Sequence, residues 1–546
     1  MTKKKIETIG VLWVVFLAAL LLCIPAVFAD DDADDDDDNG YRGKVKLTNS
    51  YVQVYAGGAD GGLAHVTYWF LPAADPDYYD ALPPEEQAKV AKINANFIHA
   101  DAFQPTNADI AGTEMTGLAK SGPREQSITF RLPDNWNGKL VVAGTPGLRN
   151  EYANEAILVP WLLEAGYAYI SGDKGIPGGA GDMVSGNHPT QYWGIMMIDL
   201  ALLARDLLKQ YAGEKPDLTY ALGLSNGGYQ TRRALEIDHG RVRKDHKRLF
   251  DGGVDWSGAY WPDKRVLDAD GNGKVSVKEY AAAETLIGSI DKGTLAMGWF
   301  YSPDTLTTPT EYEKNPRFPG AYLPMVNDGF SPESALFWGY YNTVFDGFQY
   351  VPGFEIFRGV GYYNLVSFVY RADLRGDDPI ESAAYSCWAD PDNPFTPPPI
   401  YEWLPAAENK GWNKKSVKYA LKNANTGEFS VPMLTLQGQA DGLVPLLSQG
   451  LAYKDAVELF GKPDLYRFYI VAHGPHVDRH ADGGWGYSSA LPDPAVPDLL
   501  KPMQAYAQRT FAYLEDWVEN EVLPPESKLV ETDPVNDVTD PGLLDW

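Results

Sequence analysis

The sequence predicts an α/β fold, a mainly parallel sheet covered by helices with one large lid insertion, and three observations carry the prediction. Between residues 127 and 236, short continuous apolar runs alternate with stretches of helical period, the pattern of strands buried on both faces by helices. One such strand, Leu218 to Leu222, runs directly into Gly223-Leu224-Ser225-Asn226-Gly227-Gly228, and a helix-compatible run (229–236) leaves it. Finally, 216 positions separate Ser225 from Asp441, an acid just past the apolar strand Val431 to Leu436; two strand–helix units consume far less.

The elements follow in chain order. Residues 1–29 hold Lys3, Lys4 and Lys5, an unbroken apolar stretch from Ile9 to Cys23, and small residues Val27 and Ala29, the order of a secretory signal peptide cleaved after Ala29. The apolar stretch runs about fifteen residues, short of the roughly twenty that a spanning helix needs, which disfavours an uncleaved anchor. Bulky Leu22 ahead of Cys23 disfavours lipidation there. Residues 30–40 are expected to be a solvated acidic linker, because Asp30 to Asp38 is aspartate apart from Ala33 and like charges at that density cannot collapse. Residues 44–57 and 65–72 alternate apolar and polar side chains, as half-buried strands do. Ser127 to Leu132, Lys139 to Ala143 and Tyr167 to Ile170 read as further strands. Glu151 to Glu164 reads as a helix, and so does 191–212, which Gly213 closes. The core is thus expected in two parts, 41–261 and 426–522, with Tyr466 to Val471 as a late strand and an insertion over 262–425. From 523 to 546, prolines and acids recur without apolar period; an irregular tail is expected, docked by Leu543, Leu544 and Trp546.

Composition limits the partners. The 546-residue chain has a formal charge of −28, and because residues 1–29 carry a net +2, the remainder stands near −30. Such a surface repels nucleic acid and anionic membranes, so neither is expected to bind. Past the leader Cys387 is the remaining cysteine, so no intramolecular disulfide is available and the fold must stand on its core. An exported protein is expected, periplasmic or extracellular, with no stable membrane anchor after cleavage. The sequence sets no oligomeric state.

The chemistry gathers around Ser225. Gly-x-Ser-x-Gly between an apolar strand and a helix is a nucleophile elbow, a sharp turn that lifts the serine while the glycines keep side chains off the neighbouring strand and helix. A serine nucleophile needs a base and an orienting acid, which this type of fold presents in the order serine, acid, histidine. Asp441 is the expected acid, in the loop past a strand's carboxyl end. Past Tyr466 to Val471 come His473, His476 and His480, three of the eight histidines in the chain. His476, in a Gly-Pro turn, is the expected base and His473 the alternative. The oxyanion needs two backbone N–H donors. Asn226, after the serine, is one; in Gly144-Thr145-Pro146-Gly147, where proline lacks an N–H, Thr145 is the other.

Several segments resemble tannase and feruloyl-esterase-like α/β hydrolases: Leu132-Pro133-Asp134-Asn135-Trp136-Asn137-Gly138-Lys139-Leu140, Gly166-Tyr167-Ala168 with Gly172-Asp173-Lys174-Gly175, and Ser225-Asn226-Gly227-Gly228 with Phe250-Asp251-Gly252-Gly253. The last two are also similar to hydroxybutyrate-oligomer hydrolases. The resemblance covers about 127–260 and 430–480, and it implies an α/β-hydrolase fold and ester hydrolysis. Tannase-like enzymes carry a cysteine beside the nucleophile, bridged to one beside the histidine; here those positions are Leu224 and Val477. The resemblance therefore carries the hydrolase reaction and not aryl-ester specificity.

The insertion is rich in aromatics, among them Trp299, Phe300, Tyr301, Phe337, Trp338, Tyr340 and Tyr341, and is expected to cover the serine as a lid that binds an apolar or aromatic group. At its start, Asp268 to Glu279 fits a twelve-position calcium loop. Asp268, Asp270 and Asn272 supply side-chain oxygens, Lys274 a backbone carbonyl, Ser276 a direct or water-mediated ligand, and Glu279 a bidentate carboxylate, with Gly273 at the sharp turn. One such loop implies a structural calcium ion; no organic cofactor is expected. The combined expectation is an exported serine esterase acting on a small-molecule or oligomeric ester, aromatic or hydroxyalkanoate in type. A serine peptidase and a non-catalytic, calcium-stabilised binding protein are the alternatives.

Overall fold

Three antiparallel strands open a ten-stranded sheet: β1 (Lys46–Tyr55), β2 (Gly112–Ser121) and β3 (Arg124–Pro133) pair in sequence, β2 and β3 across a turn at Gly122–Pro123. Seven mutually parallel strands follow: β4 (Lys139–Gly144), β5 (Ala168–Gly172), β6 (Leu218–Leu224), β7 (Gly252–Trp256), β8 (Met433–Gly438), β9 (Tyr466–Val471) and β10 (Lys528–Val530). The order across the sheet is β1-β2-β3-β5-β4-β6-β7-β8-β9-β10. The chain skips one place to lay down β4, returns to fill it with β5, then crosses to the far side of β4 for β6. Ligands of open α/β sheets bind outside the carboxyl ends of the strands at such a reversal.

The structure is a computed structural model of the full chain. It describes residues 45–57, 62–64, 76–95, 110–147, 149–155, 157–176, 192–244, 246–267, 272–279, 414–439, 441, 444, 446–472, 474, 476–478, 501–532 and 537–546. Among these, no helix is long and apolar enough to cross a membrane. The expected signal peptide and acidic linker, the expected strand over 65–72 and the aromatics named for the expected lid all lie outside the described residues.

Two helices, α1 (Pro76–Ala81) and α2 (Pro84–Ala95), lie between β1 and β2 in the chain, and later helices cover both faces of the sheet. On one lie α4 (Trp193–Tyr211), α5 (Asn226–Val242) and α8 (Ala452–Phe460); on the other lie α3 (Val159–Glu164) and α9 (Gln504–Asn520). The two faces meet at β7. A side chain on Gly252 would come within 2.9 Å of Leu514 on α9, and one on Gly253 within 2.9 Å of Leu235 on α5. Consecutive strand residues face opposite sides, so this glycine pair lets both helices close on the sheet. Phe511 of α9 receives Trp161, Tyr167 and Tyr220 in edge-to-face contacts at 5.5, 5.6 and 5.5 Å, the favoured geometry for aromatic cores.

Two local expectations need correction, and one strand, β2, has no counterpart among the expected elements. Residues 151–155 and 157–158 form turns, and the helix expected from Glu151 is confined to Val159–Glu164, where Pro160 fits the first turn because its missing N–H would have no partner there. β2 carries no clean apolar alternation (Gly-Thr-Glu-Met-Thr-Gly-Leu-Ala-Lys-Ser) and is held by ladders on both sides. The tail is not wholly irregular: Lys528–Val530 adds the last strand beside β9, and Trp546 packs edge-on against Tyr469 and Tyr513.

Candidate active site

Ser225 stands where β6 turns into α5, at φ 61° and ψ −120°. A non-glycine residue in this region is strained and persists only where its surroundings over-determine it. Here they do. The Ser225 N–H donates to the Trp256 carbonyl at 2.8 Å, and its own carbonyl accepts the Tyr229 N–H at 3.0 Å. A Cβ on Gly227 would fall 2.4 Å from the Gly144 oxygen, and one on Gly228 would fall 2.3 Å from Asp255 Oδ1, so glycine is required at both. The strand order and this elbow at the carboxyl end of β6, the third parallel strand across the sheet after β5 and β4, decide the architecture. This is the α/β-hydrolase fold.

Asp441 and His476 come together. Asp441 lies just past β8 and is fully buried; its Oδ1 accepts the Val444 N–H at 2.8 Å and its Oδ2 lies 2.7 Å from His476 Nδ1. His476 follows β9, the neighbouring strand, and is buried too. Two residues on, Asp478 accepts the N–H groups of Met503 and Gln504 at 2.6 and 2.7 Å, which fastens the histidine loop to the start of α9. Leu224 and Val477 are both buried in the main apolar core, one beside the serine and the other beside the histidine. His473 lies outside the described residues.

The two expected oxyanion donors differ in what their N–H groups meet. Asn226 is the first residue of α5, so its N–H has no intrahelical partner. The Thr145 N–H, in contrast, donates to Gln230 Oε1 at 3.0 Å, and Gln230 is held through Nε2 on the Trp193 carbonyl at 2.9 Å. Thr145 is therefore corrected: its N–H is spent on α5, and its hydroxyl goes to the Gly172 carbonyl at 2.5 Å.

Behind the elbow lies a buried polar layer that no local pattern announces. Arg232 of α5 pairs with Asp255 of β7 at 2.5 Å, both fully buried, and lies over the Tyr453 ring at 4.2 Å. Thr435 of β8 donates to the same Asp255 oxygen at 3.0 Å. Burial pushes the Asp255 pKa up and the Arg232 charge opposes it. The layer ties the serine's helix to the two strands between nucleophile and acid.

The two ends of the segment expected as an insertion meet at the core. Asn425 donates its N–H to the Trp261 carbonyl at 2.7 Å, and Pro262 and Asn425 form a bridge. Helices α6 (Lys264–Leu267) and α7 (Lys414–Lys422) flank this neck. Of the calcium-loop residues, Asp268 and Asp270 lie outside the described residues. Residues 272–279 form a turn that leads into a helical start. Gly273 has φ 79°, the Asn272 side chain accepts the Lys274 N–H at 2.9 Å, and Ser276 and Glu279 exchange side-chain and backbone hydrogen bonds at 2.7 and 3.2 Å, a capping box. No group of three or more His, Cys, Asp or Glu side chains suited to a metal occurs among the described residues.

No family model matches the chain, and no curated protein matches it. Among solved structures, feruloyl esterase B from Aspergillus oryzae aligns at 15% identity and TM-score 0.44, over 88% of each chain. An esterase from the same organism aligns at 14% and 0.42, again over 88% of each. The rice cell wall degrading esterase LipA from Xanthomonas oryzae aligns at 12% and 0.35, over 78% of this chain and 90% of that one.

Proposed function

We propose that the protein is an exported serine hydrolase that cleaves carboxylic esters through Ser225, His476 and Asp441. The observation that carries this reading is the buried His476–Asp441 hydrogen bond on the same carboxyl edge of the sheet as the strained Ser225. With Nδ1 on the aspartate, Nε2 is the ring nitrogen assigned to proton transfer. Ser225 Oγ attacks the ester carbonyl carbon and passes its proton to His476. The C–O bond of the ester then breaks and the alcohol leaves with that proton. Water attacks the acyl-serine with His476 again as base, and the acid departs. Asp441 holds the imidazole and offsets its charge. The Asn226 N–H serves the oxyanion in both steps.

An active-site fluorophosphonate and a p-nitrophenyl ester series test the reading. Wild-type protein takes the label and hydrolyses the esters; Ser225→Ala takes no label and loses at least about 10³-fold in kcat/KM, the scale seen when a triad member is removed. Labelling that persists in Ser225→Ala would remove the proposal. Phenolic esters and hydroxyalkanoate oligomers are the substrates to compare, and peptide anilides should be inert.

Export is supported by the order of basic, apolar and small residues in 1–29. The calcium reading is supported by the turn at Gly273 and the Ser276–Glu279 capping box. Asp268, Asp270, Asn272, Ser276, Glu279 and the Lys274 carbonyl would hold the ion, which would pin the insertion near its neck. A chelator should lower the thermal midpoint and calcium restore it; an unmoved midpoint counts against the ion.

A further inference from the structure

The loop after β4 has spent nearly all its polar groups. The Gly144 carbonyl accepts Asn154 Nδ2 at 3.1 Å, the Thr145 N–H goes to Gln230, and Pro146 has no N–H. The Gly147 N–H makes no hydrogen bond among the described residues. Its own residue lies against the elbow, because Asn226 Nδ2 donates to the Gly147 carbonyl at 3.3 Å.

Lys174 braces this loop from beneath. It follows β5, is fully buried, and takes a left-handed backbone at φ 61°. Its Nζ donates to the Thr145 carbonyl at 2.7 Å and to the Gly147 carbonyl at 2.6 Å, and lies 5.4 Å over the Trp193 ring. The two clamped carbonyls flank the Pro146–Gly147 peptide, whose N–H is the single one between them. Fixing both flanks fixes the direction of that N–H. Burial and the nearby Arg149 charge push the lysine's pKa down, while Asp173 opposes them. A methionine would fill the same room without that desolvation, so what the lysine supplies is the pair of carbonyl contacts.

We propose that the Gly147 N–H is the second oxyanion donor, in place of Thr145, and that Lys174 is the positioning residue that aims it. The proposal rests on the serine-hydrolase reading above. Pre-aimed donors act where charge develops, so the loss should appear in transition-state binding and not in substrate binding.

The experiment compares wild type, Lys174→Met and Lys174→Gln on a p-nitrophenyl ester, together with inhibition by a trifluoromethyl ketone, which forms a tetrahedral oxyanion adduct with serine. Lys174→Met should lower kcat about 100-fold, the scale of one lost oxyanion donor, with KM within about threefold. The Ki of the ketone should rise by the factor by which kcat/KM falls. Lys174→Gln keeps an N–H donor and should lose about tenfold. A folded Lys174→Met with kcat/KM within about threefold of wild type overturns the proposal, as does a fall in kcat/KM that leaves the ketone's Ki unmoved. Should Lys174→Met fail to fold, Lys174→Gln decides by the same two criteria. A wild type that neither labels nor hydrolyses removes both readings, whereas an active wild type indifferent to Lys174 removes this one alone.

Discussion

At the amino ends of β4, β5 and β6, Lys139, Tyr167 and Tyr220 reach across to α9; at the carboxyl ends of β5, β6 and β7, the backbone turns through positive φ at Lys174, Ser225 and Ser257. The first set is relaxed and paired. Lys139 Nζ lies 2.5 Å from Glu519 and 3.4 Å from Glu515, the Tyr220 hydroxyl donates to Glu519 at 2.8 Å, and the Tyr167 hydroxyl donates to Glu515. The second set holds strain and buried polar groups: the Lys174 ammonium, and the Ser257 hydroxyl, which is fully buried and has no hydrogen-bond partner among the described residues. The same strands thus run from an end that stabilises the sheet to an end that costs stability and positions reactive groups. Strained residues cluster where function needs them, and the chain tolerates them because the opposite end is fully paired.

By that contrast, relieving the carboxyl end should raise stability. Asp173, just past β5, is the group to relieve. Its Oδ1 accepts the N–H groups of Ser127 and Gly175 at 3.0 and 2.8 Å, while burial and then the Glu151 carboxylate push its pKa up to about 7. A carboxyl with a raised folded pKa binds its proton more tightly folded than unfolded. Its penalty is absent below the unfolded value near pH 4, grows as pH rises to about 7, and is constant above. The full penalty is on the order of 4 kcal/mol. Asp173→Asn is permanently neutral and keeps the accepting oxygen. It should unfold at a higher temperature than wild type at pH 8, with the advantage shrinking or reversing at pH 4. A variant destabilised equally at both pH values would break the comparison at its carboxyl end.

Legibility followed the same divide. Ser225 could be read because the elbow demands glycine at 227 and 228, where backbone and Asp255 leave no room for a Cβ, and such demands are written locally. Asp441 and His476 could be read because each follows an apolar strand, and a mainly parallel sheet could be anticipated from the alternation around them. The oxyanion loop could not. Whether Thr145 or Gly147 offers a free N–H depends on Gln230, a side chain 85 positions away, and on Lys174, which in sequence looks like any solvated charge. β7 was hidden by its glycine pair, needed so that Leu514 and Leu235 can approach. β10 was hidden by its length of three residues, since its pairing with β9 and not its own pattern makes it a strand.

The amino end offers the smallest and cleanest test. Glu519 is partly exposed, so its pair with Lys139 is screened by solvent and contributes little, roughly 0.5 kcal/mol. Its bond from Tyr220 is better sheltered; burial and the Glu519 carboxylate both push the tyrosine's pKa up, so the hydroxyl keeps the proton it donates. A hydrogen bond to a charged acceptor adds about 1 kcal/mol or slightly more. Glu519→Gln keeps an oxygen for Tyr220 but loses the charge that both partners favour. The thermal midpoint should therefore fall by about 1–2 °C, because in a chain of this size 1 kcal/mol moves the midpoint little. Neither kcat nor KM should change, since the residue lies at the opposite end of the strands from Ser225. A kcat that shifted with the midpoint would show the two ends to be coupled through β4 and β6, and the division of labour drawn between them would fail.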